Sequence, residues 1–265
     1  MSGKLNIFKT FECGQCFRWN ADPEGIYTGC AGNIPAELFE NGGNVYISSP
    51  APLSFWRNYF DLDSDYSVAE SIFAGYPYLA GCTEYGHGIR ILRQDPWEAL
   101  CSFIISQCNN ITRIKGIIER LCGICGETIE FKGRQAFLFP NPETVSRMTE
   151  EELAPLRAGY RTPYIINAAR KVASGELNLD RLKDTSCEEA RSELIKLQGI
   201  GPKVADCAVL FGLHHMEAFP KDVWIKRTMK KHFPPGFDPA VFGDMAGLAQ
   251  QYIFFYARSG EKEAE

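Results

Sequence analysis

Lys203 is placed where its side chain could act as a nucleophile. It falls in the first turn of a predicted helix that begins at Pro202, directly after a Gly-Ile-Gly turn at 199–201. A helix macrodipole puts partial positive charge at that end, so the field disfavours the ammonium form and favours the neutral amine. A neutral amine can attack an electrophilic carbon, whereas an ammonium cannot. Contact with a phosphate is the alternative interpretation of Lys203, and the local sequence leaves both open.

The turn before this lysine could itself bind an anion. Gly199 and Gly201 permit left-handed backbone angles and the close approach of another backbone. The N–H groups at the start of the following helix have no partner inside that helix and point outward. Together with the helix dipole, these features form a site for one phosphate. A plain corner between two helices is the alternative interpretation of the same glycines.

A carboxylate follows at a distance that could place it beside the lysine. Asp222 lies 19 residues after Lys203, and Pro220 with the helical pattern that follows makes Asp222 a predicted N-cap. If the helix that starts at Pro202 has about a dozen residues, the chain can turn back and bring the two side chains together. A carboxylate there could orient the amine and stabilise positive charge that develops on a sugar. The capping role does not exclude the second role.

The composition is that of an ordinary globular protein and limits the choice of partners. The 265 residues are 45% hydrophobic and 23% charged, which excludes a disordered tail, a fibrous repeat and a small disulfide scaffold. The formal net charge is −5, so a nucleic-acid partner requires a local basic face. The segment 221–231 has five basic residues against one acid and provides such a face on a predicted helix. A solvated helix face is the alternative interpretation of that run.

The ten cysteines are expected to be thiols of a protein in a reducing, cytoplasmic compartment. The chain opens without a secretory signal and has no apolar run of the roughly 18 residues of a membrane helix, so no membrane partner is expected. The CxxC pairs at 13–16 and 122–125 lie about a hundred residues apart, whereas a zinc ribbon places its pairs within about 20 residues. Buried thiols are therefore expected, and no metal site.

The pattern predicts an α+β fold, with an antiparallel β domain at 1–92 and a helical domain at 93–265. Gly and Asn clusters separate three β-rich stretches, which lie at 16–20, 25–30 and 44–49. Short helical patterns follow from Leu53 and from Tyr66. The acidic stretch between them, 61–65, is predicted to be a solvated turn.

Helix caps punctuate the rest of the chain. Three predicted N-terminal caps are Asp95 with Glu98, Thr149 with Glu152, and Ser186 with Glu189. The apolar pattern at 241–258 predicts one long helix, and the last six residues, 260–265, are expected to be a frayed tail.

Five stretches resemble one family of DNA repair enzymes. They are CGQCFRW at 13–19, DPWEALCSFIISQCNNITRI at 95–114, GYR at 159–161, KVADC at 203–207 and AGLAQQYIFF at 246–255. With the Gly-Ile-Gly turn and Asp222, they resemble the helix-hairpin-helix DNA glycosylases and, within them, the 8-oxoguanine DNA glycosylases. The resemblance runs in order through nearly the whole chain. It implies an N-terminal antiparallel β domain that resembles half of a TATA-binding protein, followed by two helical subdomains.

The resemblance implies removal of 8-oxoguanine from duplex DNA and strand cleavage by β-elimination. Lys203 matches the nucleophile that attacks the sugar C1′ and forms a Schiff base, and Asp222 matches the catalytic carboxylate. No cofactor is implied for this chemistry, and a structural monovalent or divalent cation at the hairpin carbonyls is compatible with it. Gly199, Gly201 and Val204 are the predicted phosphate-binding residues of the hairpin.

Four residues match a pocket for the damaged base: Gly14, Cys207, Gln250 and Phe254. N7 is an acceptor in guanine and an N–H donor in 8-oxoguanine, so a fixed carbonyl at Gly14 attracts the lesion and repels the normal base. Cys207 and Phe254 match the two sides of a sandwich around the flipped base, and Gln250 matches the amide that reads it. Cys207 lies four residues after Lys203, and Phe254 four after Gln250, so each pair shares a helix face. From the residues alone, Cys207 and Phe254 are more readily interpreted as core side chains, and a loop glycine is the alternative interpretation of Gly14.

Residues for the opposite strand are Asn109, Arg113, Tyr160 and Arg161. Tyr160 matches a wedge that fills the vacated stack, and the arginines and Asn109 match contacts to the cytosine opposite the lesion. Cys108 stands where the family carries an asparagine, and a thiol does not offer the hydrogen bonds of an amide. The resemblance therefore does not establish a preference for cytosine.

The leading hypothesis is a bifunctional 8-oxoguanine DNA glycosylase and lyase that acts on double-stranded DNA. We expect a monomer in the cytoplasm, associated with the nucleoid if the organism is prokaryotic. An alkylated-base glycosylase of the same superfamily is one alternative. The presence of Lys203, Gly14 and Gln250 together argues against it. A hairpin module that binds damaged DNA without chemistry is the other, and the pair of Lys203 and Asp222 speaks against it.

Overall fold

A four-stranded antiparallel sheet forms the N-terminal part of the fold. The computed structural model describes residues 5–260. The strands pair in chain order and are β1 (Asn20–Ala21), β2 (Tyr27–Ala31), β3 (Ile34–Asn41) and β4 (Asn44–Ser48). The turn between β3 and β4 consists of Gly42 and Gly43, which both have positive φ, as a two-residue hairpin turn requires.

An aromatic cluster lies between this sheet and two short helices, α1 (Ile7–Glu12) and α2 (Leu53–Tyr59). Phe11 stacks on Trp19 with ring centroids 4.6 Å apart. Trp19 donates its indole N–H to the Tyr59 hydroxyl at 2.9 Å. Trp19 and Tyr59 thus pair their polar atoms with each other, whereas the buried indole N–H of Trp56 in the same cluster has no hydrogen-bond partner among the described residues.

The rest of the described chain forms helices and one small hairpin. The helices are α3 (Ser67–Phe73), α4 (Pro77–Gly86), α5 (Pro96–Ile105), α6 (Ile111–Cys125), α7 (Pro142–Ser146), α8 (Thr162–Ala173), α9 (Leu179–Leu182), α10 (Cys187–Ile195), α11 (Pro202–Phe211), α12 (Val223–His232) and α13 (Ala246–Phe255). The hairpin consists of β5 (Thr128–Phe131) and β6 (Arg134–Phe137). Short 3₁₀ segments lie at Ala154–Leu156, Gly159–Arg161 and Pro239–Met245. A small antiparallel sheet followed by helices confirms the predicted α+β fold.

Helix α5 is the centre of the helical core. Every residue from Pro96 to Ile105 is buried. Helices α6, α8 and α11 pack against it. Because the loop at 106–110 follows α5 directly and Lys203 lies on α11, this core fixes the position of both.

A buried ion pair joins the sheet region to the helical core. Arg18 Nη1 lies 3.2 Å from Glu98 Oε2 in the first turn of α5, and the two side chains are only 8% and 11% exposed. Arg18 also donates to the Phe137 carbonyl of β6 at 2.7 Å. Burial raises the pKa of Glu98, and the Arg18 guanidinium opposes that rise. The pair therefore connects the segment after residue 16 to the helix on which the core is built.

The predicted caps form, but one of them does not start an α-helix. Asp95 accepts the Glu98 amide at 2.8 Å at the start of α5, and Ser186 accepts the Glu189 amide at 3.2 Å at the start of α10. The predicted box of Thr149 and Glu152 is reciprocal, with distances of 2.8 and 3.2 Å. It leads into a turn and a 3₁₀ segment rather than an α-helix.

Several predicted elements are corrected by the structure. The stretch 16–20 is not a strand before Asn20, whereas the stretches 25–30 and 44–49 contain β2 and β4. The pattern at 241–258 is not one helix: α13 begins only at Ala246, and Gly243, with a non-helical backbone and a φ of 53°, kinks the 3₁₀ segment before it. A π-helical turn, Tyr256–Gly260, follows α13.

The acidic stretch 61–65 was predicted to be solvated, which is wrong for Asp61. Its carboxylate is buried and accepts hydrogen bonds from Arg93 at 2.7 Å and from Ser64 at 2.8 Å. Burial acts to raise the pKa of Asp61, but the adjacent His214 imidazole, with Nε2 3.6 Å from Oδ1, and the hydrogen bonds from Ser64 and Arg93 outweigh it and hold the pKa well below its usual range. Asp61 is thus a buried junction between distant segments.

The buried side chains fall into two clusters that do not follow chain order. One joins the sheet, α1, α2 and Leu92, and the other joins the later helices with α3 and α4. The predicted boundary between 92 and 93 stays a prediction. The tail predicted at 260–265 lies outside the described residues except for Gly260.

All ten cysteines lie in the described part of the chain, and there they are free thiols, seven of them buried. Within residues 5–260, no helix combines the length and the apolar character that a membrane crossing needs.

The ion pair predicts a large cost for removal of its cation. Arg18→Met leaves the buried Glu98 carboxylate without its partner, so we expect the free energy of unfolding to fall by about 3 kcal/mol in chemical denaturation. The control Arg57→Met breaks an exposed pair with Asp63, whose side chains are 49% and 71% exposed, and should cost less than about 1 kcal/mol. Equal losses in the two variants would contradict this assignment.

Candidate active site

The Gly-Ile-Gly turn joins α10 to α11 in the predicted helical hairpin. Arg191 of α10 and Asp206 of α11 tie the two helices together, with Nε and Oδ1 2.6 Å apart. Gly199 has a φ of 77°, and a Cβ there would lie 2.2 Å from the Tyr164 ring, so only glycine fits. Gly201 has a φ of −91° and open space where a Cβ would point. The left-handed backbone predicted for both glycines is therefore used only at Gly199.

Lys203 lies in the first turn of α11, as predicted, and is half-buried. Its Nζ is 5.6 Å from the centroid of the Phe103 ring on α5. Burial raises the pKa of the Cys207 thiol one turn later, and the neighbouring Lys203 opposes that rise. The amine therefore lies between the helical core and an open cavity.

Lys203 and Asp222 line the same cavity, which has a volume of about 680 Å³. Cavities of this size hold small ligands. Asp222 is half-buried and caps α12, with Oδ1 accepting the Ile225 amide at 2.8 Å, so the predicted N-cap is confirmed. Three other predicted site residues line this cavity as well: Gly14, Asn109 and Phe254.

Gly14 brings the backbone of a sharp turn to the wall of this cavity. Its φ is 85°, in the left-handed region. A Cβ at this position would lie 3.2 Å from Cε1 of Phe254. The Gly14 backbone therefore lies directly against the aromatic ring, a contact that a larger residue would push apart.

Cys207 and Gln250 are buried, and neither is among the described residues that line the open cavity. The Oε1 atom of Gln250 is buried without a hydrogen-bond partner among the described residues. A buried amide oxygen without a partner is costly and is unusual outside functional sites. Gln250 thus offers an acceptor that the described protein leaves unpaired.

The guanidinium of Arg161 donates hydrogen bonds to carbonyls of the protein itself, whereas a residue that contacts DNA is expected to have free donors. Its guanidinium is buried, with 4% of the residue exposed, and donates to the carbonyls of Gln107 at 2.9 Å and Ala158 at 3.0 Å. It therefore holds the loop after α5 against the turn before α8. The predicted contact of Arg161 with the opposite base stays a prediction.

The other residues predicted for the opposite strand lie at or near the surface. Tyr160 is 51% exposed, and Arg113 is exposed at the start of α6. Asn109 donates its amide to the Ile105 carbonyl at 3.2 Å and is half-buried. Cys108 is exposed and has a φ of 46°. The roles predicted for Tyr160, Arg113 and Asn109 stay predictions.

The basic run of the sequence lies on the outer face of α12. Ile225 and Thr228 are its buried residues. The exposed basic residues are Lys226, Arg227, Lys230 and Lys231. This face begins beside the cavity, because Asp222 caps the same helix.

The hairpin backbone is partly engaged within the protein. Val204 donates its amide to the Gly201 carbonyl at 3.1 Å, and phosphate binding by Gly199, Gly201 and Val204 stays a prediction. The Leu197 carbonyl accepts the Ile200 amide at 3.2 Å, and its oxygen keeps a second lone pair. The structural cation expected at the hairpin carbonyls stays a prediction. Within residues 5–260, no group of three or more His, Cys, Asp and Glu side chains could hold a metal ion.

Sequence reasoning missed two residues that hold the Gly14 turn. Gln251 donates to the Cys13 carbonyl at 2.7 Å, and Arg258 donates to the Glu12 carbonyl. Their spacing from Phe254, three before and four after, places all three on one helical face and was the available signal.

Family comparisons match both parts of the chain. Residues 1–100 match a family described as "8-oxoguanine DNA glycosylase, N-terminal domain". Residues 101–238 match one described as "HhH-GPD superfamily base excision DNA repair protein".

Individual proteins with known names agree with these matches. The probable N-glycosylase/DNA lyase of Methanothermobacter thermautotrophicus is 31% identical over 229 residues, which are 75% of this chain and 71% of that protein. The N-glycosylase/DNA lyase OGG1 of Arabidopsis thaliana is 30% identical over 98% of this chain and 79% of its own length. The 8-oxoguanine glycosylase/lyase of Clostridium acetobutylicum, solved with double-stranded DNA containing cytosine opposite 8-oxoguanine, is 36% identical with a TM-score of 0.90, covering 97% of this chain and 93% of that one.

The hairpin turn predicts different outcomes for its two glycines. Gly199→Ala should lower the free energy of unfolding by more than about 2 kcal/mol, because its Cβ would collide with the Tyr164 ring in a left-handed backbone. Gly201→Ala is the matched control and should cost no more than about 1 kcal/mol, the cost of a poorer N-cap. Chemical denaturation compares the two, and a cost at Gly201 equal to that at Gly199 would refute this account of the turn.

Proposed function

We propose residue roles from the premise that this chain belongs to the 8-oxoguanine DNA glycosylases of the HhH-GPD superfamily. It is a bifunctional glycosylase and lyase that removes 8-oxoguanine from double-stranded DNA. The observation that carries the residue roles is the cavity that Lys203 and Asp222 share with the Gly14 turn and Phe254. A nucleophile, a carboxylate and an aromatic surface thus face one ligand volume.

We assign the nucleophile to Lys203. Its neutral amine forms a bond to C1′ of the flipped nucleotide as the C1′–N9 bond breaks, and the base leaves with that electron pair and takes up a proton. The sugar ring then opens and leaves a Schiff base on Nζ. Loss of a proton from C2′ expels the 3′ phosphate, which is the β-elimination that cuts the strand.

Asp222 is the proposed electrostatic partner of this step. Positive charge develops on the sugar as the base leaves, and a fixed carboxylate in a sheltered cavity stabilises it more than water does. The hydrogen bond to the Ile225 amide fixes one carboxylate oxygen. A carboxylate accepts several hydrogen bonds, so capping α12 does not prevent the second role.

The proposed base pocket requires a local opening behind the cavity wall. Phe254 already lines the cavity and offers a stacking surface beside the Gly14 backbone. Cys207 and Gln250 are buried, so a base can reach them only if the side chains that cover them move aside. The unpaired Oε1 of Gln250 supports its assignment as a reader, because a donor on the base would satisfy it.

The surface around the cavity suits the proposed contacts with DNA. Exposed Tyr160 could enter the stack that the flipped base leaves. The basic face of α12 could meet phosphates next to the cavity, and binding through such a face weakens as salt rises. Preference for the opposite base, monomeric state and cytoplasmic localisation stay predictions.

Borohydride trapping tests the nucleophile. The native chain should form a covalent adduct with duplex DNA that contains 8-oxoguanine, because the reductant fixes a Schiff base. Lys203→Gln should form none. Lys221→Gln is the matched control, since Lys221 lines the same cavity, and it should keep the adduct. An adduct that persists in Lys203→Gln and disappears in Lys221→Gln would reassign the nucleophile.

The carboxylate can be tested without disturbing its helix. Asp222→Asn keeps the N-cap, since asparagine caps about as well as aspartate, so the unfolding transition should not move. Single-turnover excision of 8-oxoguanine should fall by about 100-fold or more, because the amide carries no charge to stabilise the sugar. Excision close to the native rate would remove Asp222 from the chemistry.

A further inference from the structure

The peptide groups before Gly14 are held by side chains from the end of the chain. Gln251 of α13 is 1% exposed, and its Nε2 donates to the Cys13 carbonyl at 2.7 Å. Arg258, in the turn after α13, donates to the Glu12 carbonyl. Two consecutive carbonyls on the N-terminal side of Gly14 are thus anchored by residues that lie far along the sequence.

The residue after Gly14 is anchored as firmly. The Gln15 side chain is buried, its Nε2 donates to the Arg90 carbonyl at 2.8 Å, and its Oε1 accepts the Leu92 amide at 2.9 Å. The Gln15 carbonyl accepts from Gln94 Nε2 at 2.8 Å. The backbone is therefore held by side-chain hydrogen bonds on both sides of Gly14.

Gly14 needs such anchors because a glycine on its own can adopt several backbone conformations. Its φ of 85° is one of several backbone states that a glycine can reach. A carbonyl can distinguish an N–H donor from a lone pair only while its oxygen keeps one direction. If the turn rotated freely, the carbonyl oxygen would have no fixed direction and could not distinguish 8-oxoguanine from guanine.

One helical face supplies both the anchor and the stacking ring. Gln251, Phe254 and Arg258 follow each other at spacings of three and four residues. The Phe254 ring lies 3.2 Å from the Cβ position of Gly14, and Gln251 holds the preceding carbonyl. The distance between the Gly14 backbone and a base stacked on Phe254 is therefore set by one element.

We propose that Gln251, assisted by Arg258, is a positioning residue that fixes the direction of the Gly14 carbonyl and thereby the preference for 8-oxoguanine over guanine. This rests on the proposed function and on the role predicted above for the Gly14 carbonyl, which attracts the N7–H donor of 8-oxoguanine and repels the N7 acceptor of guanine. Gln251 contacts neither the base nor the reacting atoms, and it acts through the Cys13–Gly14 peptide. Its loss should change which base is held, with little effect on the chemistry at the sugar.

The test separates base discrimination from catalysis. Gln251→Met keeps the length of the buried side chain and removes its donor. Binding is measured with duplexes that carry uncleavable 2′-fluoro analogues of 8-oxoguanosine and of guanosine, and strand cleavage is measured at a preformed abasic site. We expect the ratio of the two dissociation constants to fall about tenfold, the size of one buried hydrogen bond, with cleavage at the abasic site unchanged. The matched control is Gln135→Met on the exposed face of β6, which should behave as the native chain.

A purely structural role predicts another pattern. If both dissociation constants and abasic-site cleavage worsen together while the ratio stays at its native value, the proposal is overturned. If Gln251→Met does not fold, Arg258→Met tests the second anchor, and an unchanged ratio in that variant overturns the proposal as well. If the native chain itself shows no preference for 8-oxoguanine or no cleavage at abasic sites, the proposed function fails instead.

Discussion

An amine can attack a sugar carbon only from within reach of it, and the start of α11 places Lys203 on the wall of the cavity. Helix α11 packs on α5, whose residues are all buried, and is tied to α10 by the ion pair of Arg191 and Asp206. The position of the amine is thus set by a helix that packs on the fully buried α5, and Asp222 reaches the same cavity because it caps the next helix.

The side of the cavity that is proposed to read the base is held by hydrogen bonds rather than by packing. The Gly14 turn belongs to the N-terminal region, which the buried pair of Arg18 and Glu98 joins to α5. Its orientation depends on amide and guanidinium donors from α13 and the turn that follows it. Packing therefore fixes the proposed nucleophile, Lys203, whereas hydrogen bonds to backbone carbonyls fix the proposed base reader, the Gly14 turn. This division separates the two halves of the reaction, since the reader can be loosened while the nucleophile stays in place.

Local signals in the sequence predicted much of this arrangement. The caps at Asp95, Ser186 and Asp222 depend on neighbouring residues only, and the structure forms them. Lys203 could be singled out because its position at a helix start is also a local property. The α+β fold followed from the change from alternating to helical patterns.

Non-local contacts account for what could not be predicted. The burial of Asp61 depends on Arg93 and His214, which lie far along the chain, so an acidic stretch looked solvated. Arg161 is held by the carbonyl of Gln107 from another loop, and no local pattern announces such a contact. Gln251 was hidden for the same reason, because its partner is the carbonyl of Cys13. Side-chain donors that pair with distant backbone carbonyls leave almost no trace in a single sequence.

A structure of the native chain bound to duplex DNA with an uncleavable 2′-fluoro analogue of 8-oxoguanosine tests the central claim most directly. The account predicts that the flipped nucleotide occupies the cavity of Lys203 and Asp222, with Nζ about 3–3.5 Å from C1′. It also predicts that the Gly14 carbonyl oxygen lies about 2.7–3.2 Å from N7 of the base. A lesion held in another part of the protein, or a C1′ atom that faces Lys221 instead of Lys203, would contradict it.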